Sequence, residues 1–133
     1  MRRVPTSALL LAAGPLLACA PQQATPPTPP MTAAQYATLQ HAMGDPRTRA
    51  AATATRAERA KTRSARELGS MAAVLDVDVA EAPRVYCERL LAAVARGEVS
   101  YDDYMALQAK TYDPQVLRRL LRALRQPAEE QRV

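Results

Sequence analysis

Cys19, Cys87 and His41 are the only thiols and the only imidazole in the chain, and they set its chemical repertoire. A thiol can be alkylated, oxidised or bound to a metal, and an imidazole can move protons. Their spacing brings no two of them into a ligand or nucleophile–base motif, so no metal site is expected. Paired acids at Asp76/Asp78 and Asp102/Asp103 could in principle divide general acid and base roles. The second pair, however, follows Ser100 at a helix start, where carboxylates complement the helix dipole. No glycine-rich phosphate loop is present among the four glycines. No catalytic residue, cofactor or small-molecule substrate is expected, and the chain reads as a non-enzyme. The remaining chemistry is electrostatic. Arg49, Arg56 and Arg63 recur every seven residues with Arg59 and Arg66 beside them, a stripe suited to an anionic surface or an acidic partner.

The environment of Cys19 explains that cysteine. Met1-Arg2-Arg3 is a basic start, and Ala8 to Ala18 is an eleven-residue apolar run broken by Gly14 and Pro15. Such a run is too short to span a bilayer but suits the core of a signal peptide. Leu16-Leu17-Ala18-Cys19 resembles the lipobox of bacterial lipoproteins, with Leu17 where a small or β-branched residue is more typical. The resemblance implies that Cys19 receives diacylglycerol, that residues 1–18 are cleaved, and that the new N-terminus is acylated, commonly with palmitate. Each buried methylene adds about 0.8 kcal/mol, so two or three chains on one residue make a durable anchor. By analogy with enterobacterial sorting, Ala20 in place of Asp favours the outer membrane, facing the periplasm in a Gram-negative host. The expected location is the cell envelope. Outside the cytoplasm a nucleic acid is not an expected partner for the arginines; lipid phosphates or an acidic protein are.

Residues 19–30 follow as a linker. Five prolines in the eleven residues from Ala20 to Pro30 favour extended polyproline II geometry, at about 3.1 Å per residue. A plain tether is the simpler reading, although proline-rich segments also dock on aromatic grooves. Loss of Arg2 and Arg3 with the leader would lower the formal charge from +5 to +3, since 16 basic residues then face 13 acids. Charge is segregated: residues 45–66 carry seven Lys/Arg, and residues 76–103 carry seven acids. The acidic stretch is a candidate intramolecular neighbour for the arginines.

Beyond the linker the spacing predicts an all-α fold, a small bundle of about four to five helices. Thr32 with Gln35 forms a capping box, and Gly44 closes that helix. Asp45-Pro46 opens a second helix, whose Ala/Arg-rich sequence runs on to residue 68 with high helix propensity. A third spans Pro83 to Gly97, Ser100 with Asp103 caps a fourth, and Asp113-Pro114 opens a fifth reaching Gln126. No large apolar residue lies between Asp45 and Arg66, so residues 47–66 read as a solvated or partly disordered helix, with Ala50, Ala54, Ala57 and Ala65 opposite the arginines. The organisation expected is therefore N-terminal helices over 31–67, a helical core over 68–126 and a flexible tail over 127–133.

In the third helix Tyr86, Cys87, Leu90, Leu91 and Val94 share an apolar arc, with Arg84, Glu88, Arg89 and Arg96 outside it. Cys87 reads as a buried free thiol, an intermolecular disulfide being the alternative. Tyr101, Tyr104, Met105 and Tyr112 share a face, most simply as core aromatics in a chain without Phe or Trp. Residues 90–110 are similar to the helical hairpin of the short C-terminal (SHOCT) domain, which implies self-association as a homo-oligomer. In the last helix Leu117, Leu120, Leu121 and Leu124 align away from Arg118, Arg122 and Arg125. That face suits packing on the chain's own core, or a membrane surface or partner groove. These features favour an interaction or assembly factor resembling the pilotins that escort secretins. The alternative is a membrane-active or structural lipoprotein resembling the spanins.

Overall fold

The computed structural model describes residues 29–111 and 113–126. The expected signal peptide, Cys19, most of the proline-rich linker, Tyr112 and the 127–133 tail lie outside the described residues. Among the described residues there is no strand, in agreement with the all-α reading. Six helices form: α1 (Ala33–Met43), α2 (Pro46–Ala60), α3 (Ala65–Leu75), α4 (Ala82–Ala95), α5 (Tyr101–Ala109) and α6 (Pro114–Arg125).

Local capping fixes five of the six starts. Thr32/Gln35, Ser64/Glu67 and Ser100/Asp103 form reciprocal capping boxes. Asp45 and Asp113 cap α2 and α6 ahead of Pro46 and Pro114. The sixth helix over the expected four to five comes from the Ser64/Glu67 box. There the long Ala/Arg helix is cut in two: Thr62 and Arg63 donate their N–H groups to the carbonyls of Arg59 and Ala60 at 3.3 and 3.2 Å. The Glu67 carboxylate then accepts from the Ser64 hydroxyl at 2.9 Å. Propensity favours helix on both sides of the break, but the box satisfies the freed N–H groups of a new start. The division expected between residues 67 and 68 falls inside α3, and Leu68 shares a helix with Ala65.

The central element is α4, against which α1, α2, α3 and α6 all pack. Its apolar arc lies as the periodicity predicts, with Cys87, Leu90, Leu91 and Val94 buried and Tyr86 half-buried. The docking of α2 corrects the reading of a solvated Ala/Arg segment. Ala57 and Ala60 are buried and cluster with Cys87 and Tyr86, whereas Ala50 and Ala54 are exposed. Large side chains are unnecessary at such a contact, because alanine lets two helix axes approach closely.

Tyrosines close the top of the core. Tyr36 packs between Tyr101 and Tyr104 at ring-centroid distances of 5.9 and 5.3 Å. The Tyr36 hydroxyl donates to the Val99 carbonyl, and the Tyr101 hydroxyl donates to the Met31 carbonyl at 2.8 Å. Burial raises the Tyr36 pKa above the ordinary phenol value, with Tyr104 and Asp103 adding to it. Arg89, expected outside, is half-buried: it reaches the carbonyls of Leu75 and Leu124 at 3.3 and 3.1 Å. Its cation thereby meets the carbonyl ends of α3 and α6, where helix dipoles favour positive charge. Leu120, Ala123 and Leu124 of α6 are buried, while Leu117 stays 41% exposed.

Candidate functional site

Two depressions lie side by side on the bundle. The larger, about 1010 Å³, is a cleft between α2, α4 and α5. Tyr86, Cys87, Leu90 and Leu91 of α4 form its floor, and Tyr104, Met105, Leu107 and Gln108 of α5 form one wall. Arg56 and Arg59 of α2 stand opposite, followed by Arg63 in the turn after it. Pro29, Pro30 and Met31 border the same cleft. A smaller groove of about 400 Å³ runs between α3 and α6, lined by Met71, Val74, Leu117 and Leu121 with Arg63, Arg66 and the Lys110–Glu67 ion pair at its edge. Arg63, Tyr86 and Leu107 line both depressions.

The geometry divides the five arginines of the expected stripe. Arg56, Arg59 and Arg63 line the cleft, and Arg66, on α3, stands beside the adjoining groove. Arg49 turns elsewhere: its Nη1 donates to the Met43 carbonyl at 2.7 Å, closing the α1 C-terminus. The single-helix stripe is thus corrected, because α2 ends at Ala60 and Arg63 and Arg66 follow the break.

Tyrosines hold two of the cleft arginines. The Arg56 guanidinium donates to the Tyr104 hydroxyl at 2.9 Å and stands 6.0 Å from the centroid of that ring. The Arg63 guanidinium stands 5.9 Å from the Tyr86 ring centroid. At these distances the electron-rich ring face attracts the cation. These tyrosine partners were not legible in the sequence, since Arg56 and Tyr104 lie 48 residues apart and share no local pattern.

Charge balance distinguishes the site. Among the described residues no carboxylate lines the cleft, and Arg56, Arg59, Arg63 and Arg66 form no ion pair. The acidic 76–103 stretch does not neutralise them, contrary to the intramolecular reading. Glu81 and Glu88 bind Arg84 at 2.6 and 2.9 Å, Glu98 binds Arg96 at 2.7 Å, and Asp103 binds Arg119 at 2.6 Å. Local pairing along α4 and its exit loop, and at the α5–α6 junction, takes up these four acids.

Cys87 is buried and free on the cleft floor. Burial pushes its thiol pKa up, opposed by the nearby Arg56 and Arg63 guanidinium groups. His41 is exposed in the last turn of α1 and lines neither depression. No cluster of three or more His, Cys, Asp or Glu side chains fit for a metal occurs among the described residues. No described helix is long and apolar enough to cross a membrane. The arrangement suits binding: guanidinium groups at the rim attract an anion, and the apolar floor receives a hydrophobic portion of the same ligand. No protein-family model, curated protein or solved structure matches this chain.

Proposed function

We propose that this is a lipid-anchored cell-envelope protein acting as a non-catalytic interaction or assembly factor, pilotin-like in role. The observation that carries the reading is the cleft, where Arg56, Arg59 and Arg63 face an apolar floor with no carboxylate among the described lining residues. Uncompensated guanidinium groups held beside a hydrophobic surface attract an external anion and strengthen its contact by partial desolvation. The leader motif at Leu16 to Cys19 supports the anchor, and Ala20 supports the outer membrane as its site.

The test joins both halves of the proposal. Cells fed labelled palmitate should transfer label to the intact protein and not to Cys19→Ser. A photo-crosslinking residue placed at Gln108, an exposed lining position, should give a discrete protein adduct in the envelope. That adduct should fade when Arg59 and Arg63 are replaced by Gln. Adducts to lipid alone would favour the alternative of a structural, anionic-surface lipoprotein. Absence of label would remove the anchor from the proposal.

A further inference from the structure

We infer that the cleft and the adjoining groove form one track for an acidic amphipathic helix of a protein partner. The inference rests on the interaction-factor reading above and names the chemistry of its partner. Continuity comes first: Arg63, Tyr86 and Leu107 line both depressions, of about 1010 and 400 Å³, and the one carboxylate among the groove's described residues, Glu67, is paired with Lys110 at 3.4 Å. The accessible apolar surface runs from the half-buried Tyr86, Met105 and Leu107 of the cleft to the half-buried Leu121 and the exposed Leu117 of the groove. A docked helix presents apolar residues at i, i+3/i+4 and i+7 to such a surface.

Charge distribution selects the occupant. Arg56 and Arg59 lie one turn apart on α2, about 4.5 Å along its axis at 1.5 Å per residue. Arg63 and Arg66 continue past the break into the groove. Acids three or four positions apart on a partner helix advance by about the same distance, 4.5–6 Å. A lipid phosphate is a single point of charge and would be met by guanidinium groups converging on one spot. Here they are strung along the track. The ring contacts of Arg56 with Tyr104 and Arg63 with Tyr86 restrict those side chains before binding, which lowers the ordering cost of a charged interface.

Fluorescence anisotropy tests the inference on the chain from Ala20 to Val133, which keeps every described residue. The probe is a labelled 18-residue amphipathic peptide with leucines on one face flanked by glutamates. A lysine-for-glutamate peptide and phosphatidylglycerol vesicles serve as comparisons. The glutamate peptide should bind saturably, at least about tenfold tighter than its lysine counterpart, and weaken as salt is raised. Arg59→Gln with Arg63→Gln should weaken binding about fivefold, from the loss of two exposed charge contacts. Arg56 is spared because it bonds Tyr104. Gln108→Glu, at an exposed position in the cleft wall, should weaken binding with unchanged circular dichroism and melting temperature. Equal binding of both peptides, variants at parental affinity, or binding to vesicles but not peptide would overturn the inference. Binding that appears only after Glu129→Gln and Glu130→Gln would assign the track to the chain's own C-terminus and overturn it too. A failure here with intact Cys19 labelling and a Gln108 adduct would leave the interaction-factor reading standing.

Discussion

Replacing Asp103 by Asn should destabilise the bundle by about 2 kcal/mol at neutral pH, and that loss should vanish in acid. Asp103 is 3% exposed, the one buried charged side chain among the described residues. Its carboxylate accepts from Arg119 Nη2 at 2.6 Å and Nε at 3.4 Å, joining α5 to α6. It also accepts from the Ser100 backbone N–H at 3.3 Å, closing the α5 capping box. Asn keeps the shape and a neutral acceptor while removing the charge. Breaking a fully buried ion pair costs about 3–5 kcal/mol. The Arg119 side chain is half in water, at 50% exposure, and can rehydrate once released. The loss therefore falls to the range of one charge-assisted hydrogen bond, about 1.5–3 kcal/mol. For a domain of this size that corresponds to about 10 °C in melting temperature. The sign of the pH dependence follows from the carboxyl pKa, which Arg119 and then Ser100 hold below the ordinary value against the opposing effect of burial. A depressed folded pKa means the contribution is complete above the unfolded value of about 3.9 and drains away as pH falls through the folded value. Urea unfolding of both proteins at pH 7 and at pH 2 measures the difference. A variant within about 0.5 kcal/mol of wild type at pH 7, or a gap unchanged at pH 2, would refute the argument.

Leu91 is 0% exposed on the central helix, so Leu91→Ala should cost about 3–4 kcal/mol in urea unfolding through lost transfer and a residual cavity. Arg89→Gln removes a cation from the carbonyls of Leu75 and Leu124, with an expected cost of about 1–2 kcal/mol. Hydrogen exchange should localise its effect to the C-terminal turns of α3 and α6. Cys87 should resist iodoacetamide in the folded chain at pH 8 and react fully in urea, because burial raises its thiol pKa and hides it from reagent. Mass spectrometry of the adduct checks this, and equal labelling in both conditions would contradict the buried floor.

Helix starts were legible because caps are local chemistry. Thr32/Gln35, Asp45-Pro46, Ser100/Asp103 and Asp113-Pro114 each announce a start within four residues, and each forms. Ser64/Glu67 is equally local, yet the surrounding Ala and Arg favour helix so evenly that composition conceals the break. The docking of α2 was hidden for a different reason. Hydrophobic patterning weighs large side chains, whereas Ala57 and Ala60 make their contact by being small. The arginine positions were visible as a repeat, but their destinations were not. Arg49 ends on a backbone carbonyl six residues away, while Arg56 ends on a ring 48 residues away. Only the folded chain separates a helix-closing arginine from one that faces a cleft.

Tension on the chain upstream of Met31 would meet a particular sequence of resistances. The first is the bond from the Tyr101 hydroxyl to the Met31 carbonyl, together with the packing of the Met31 side chain on the core. Behind it stands the Thr32/Gln35 capping box, and one turn further in the Tyr36 hydroxyl grips Val99 in the loop between α4 and α5. These links lie in series, so they yield one at a time and do not share the load. Loss of the outermost would free a short length of chain at the entry to α1 while the Tyr36 ring stayed seated between Tyr101 and Tyr104. A leash pulling from the N-terminal side would thus be buffered before force reached α4, by two tyrosine hydroxyls with a capping box between them.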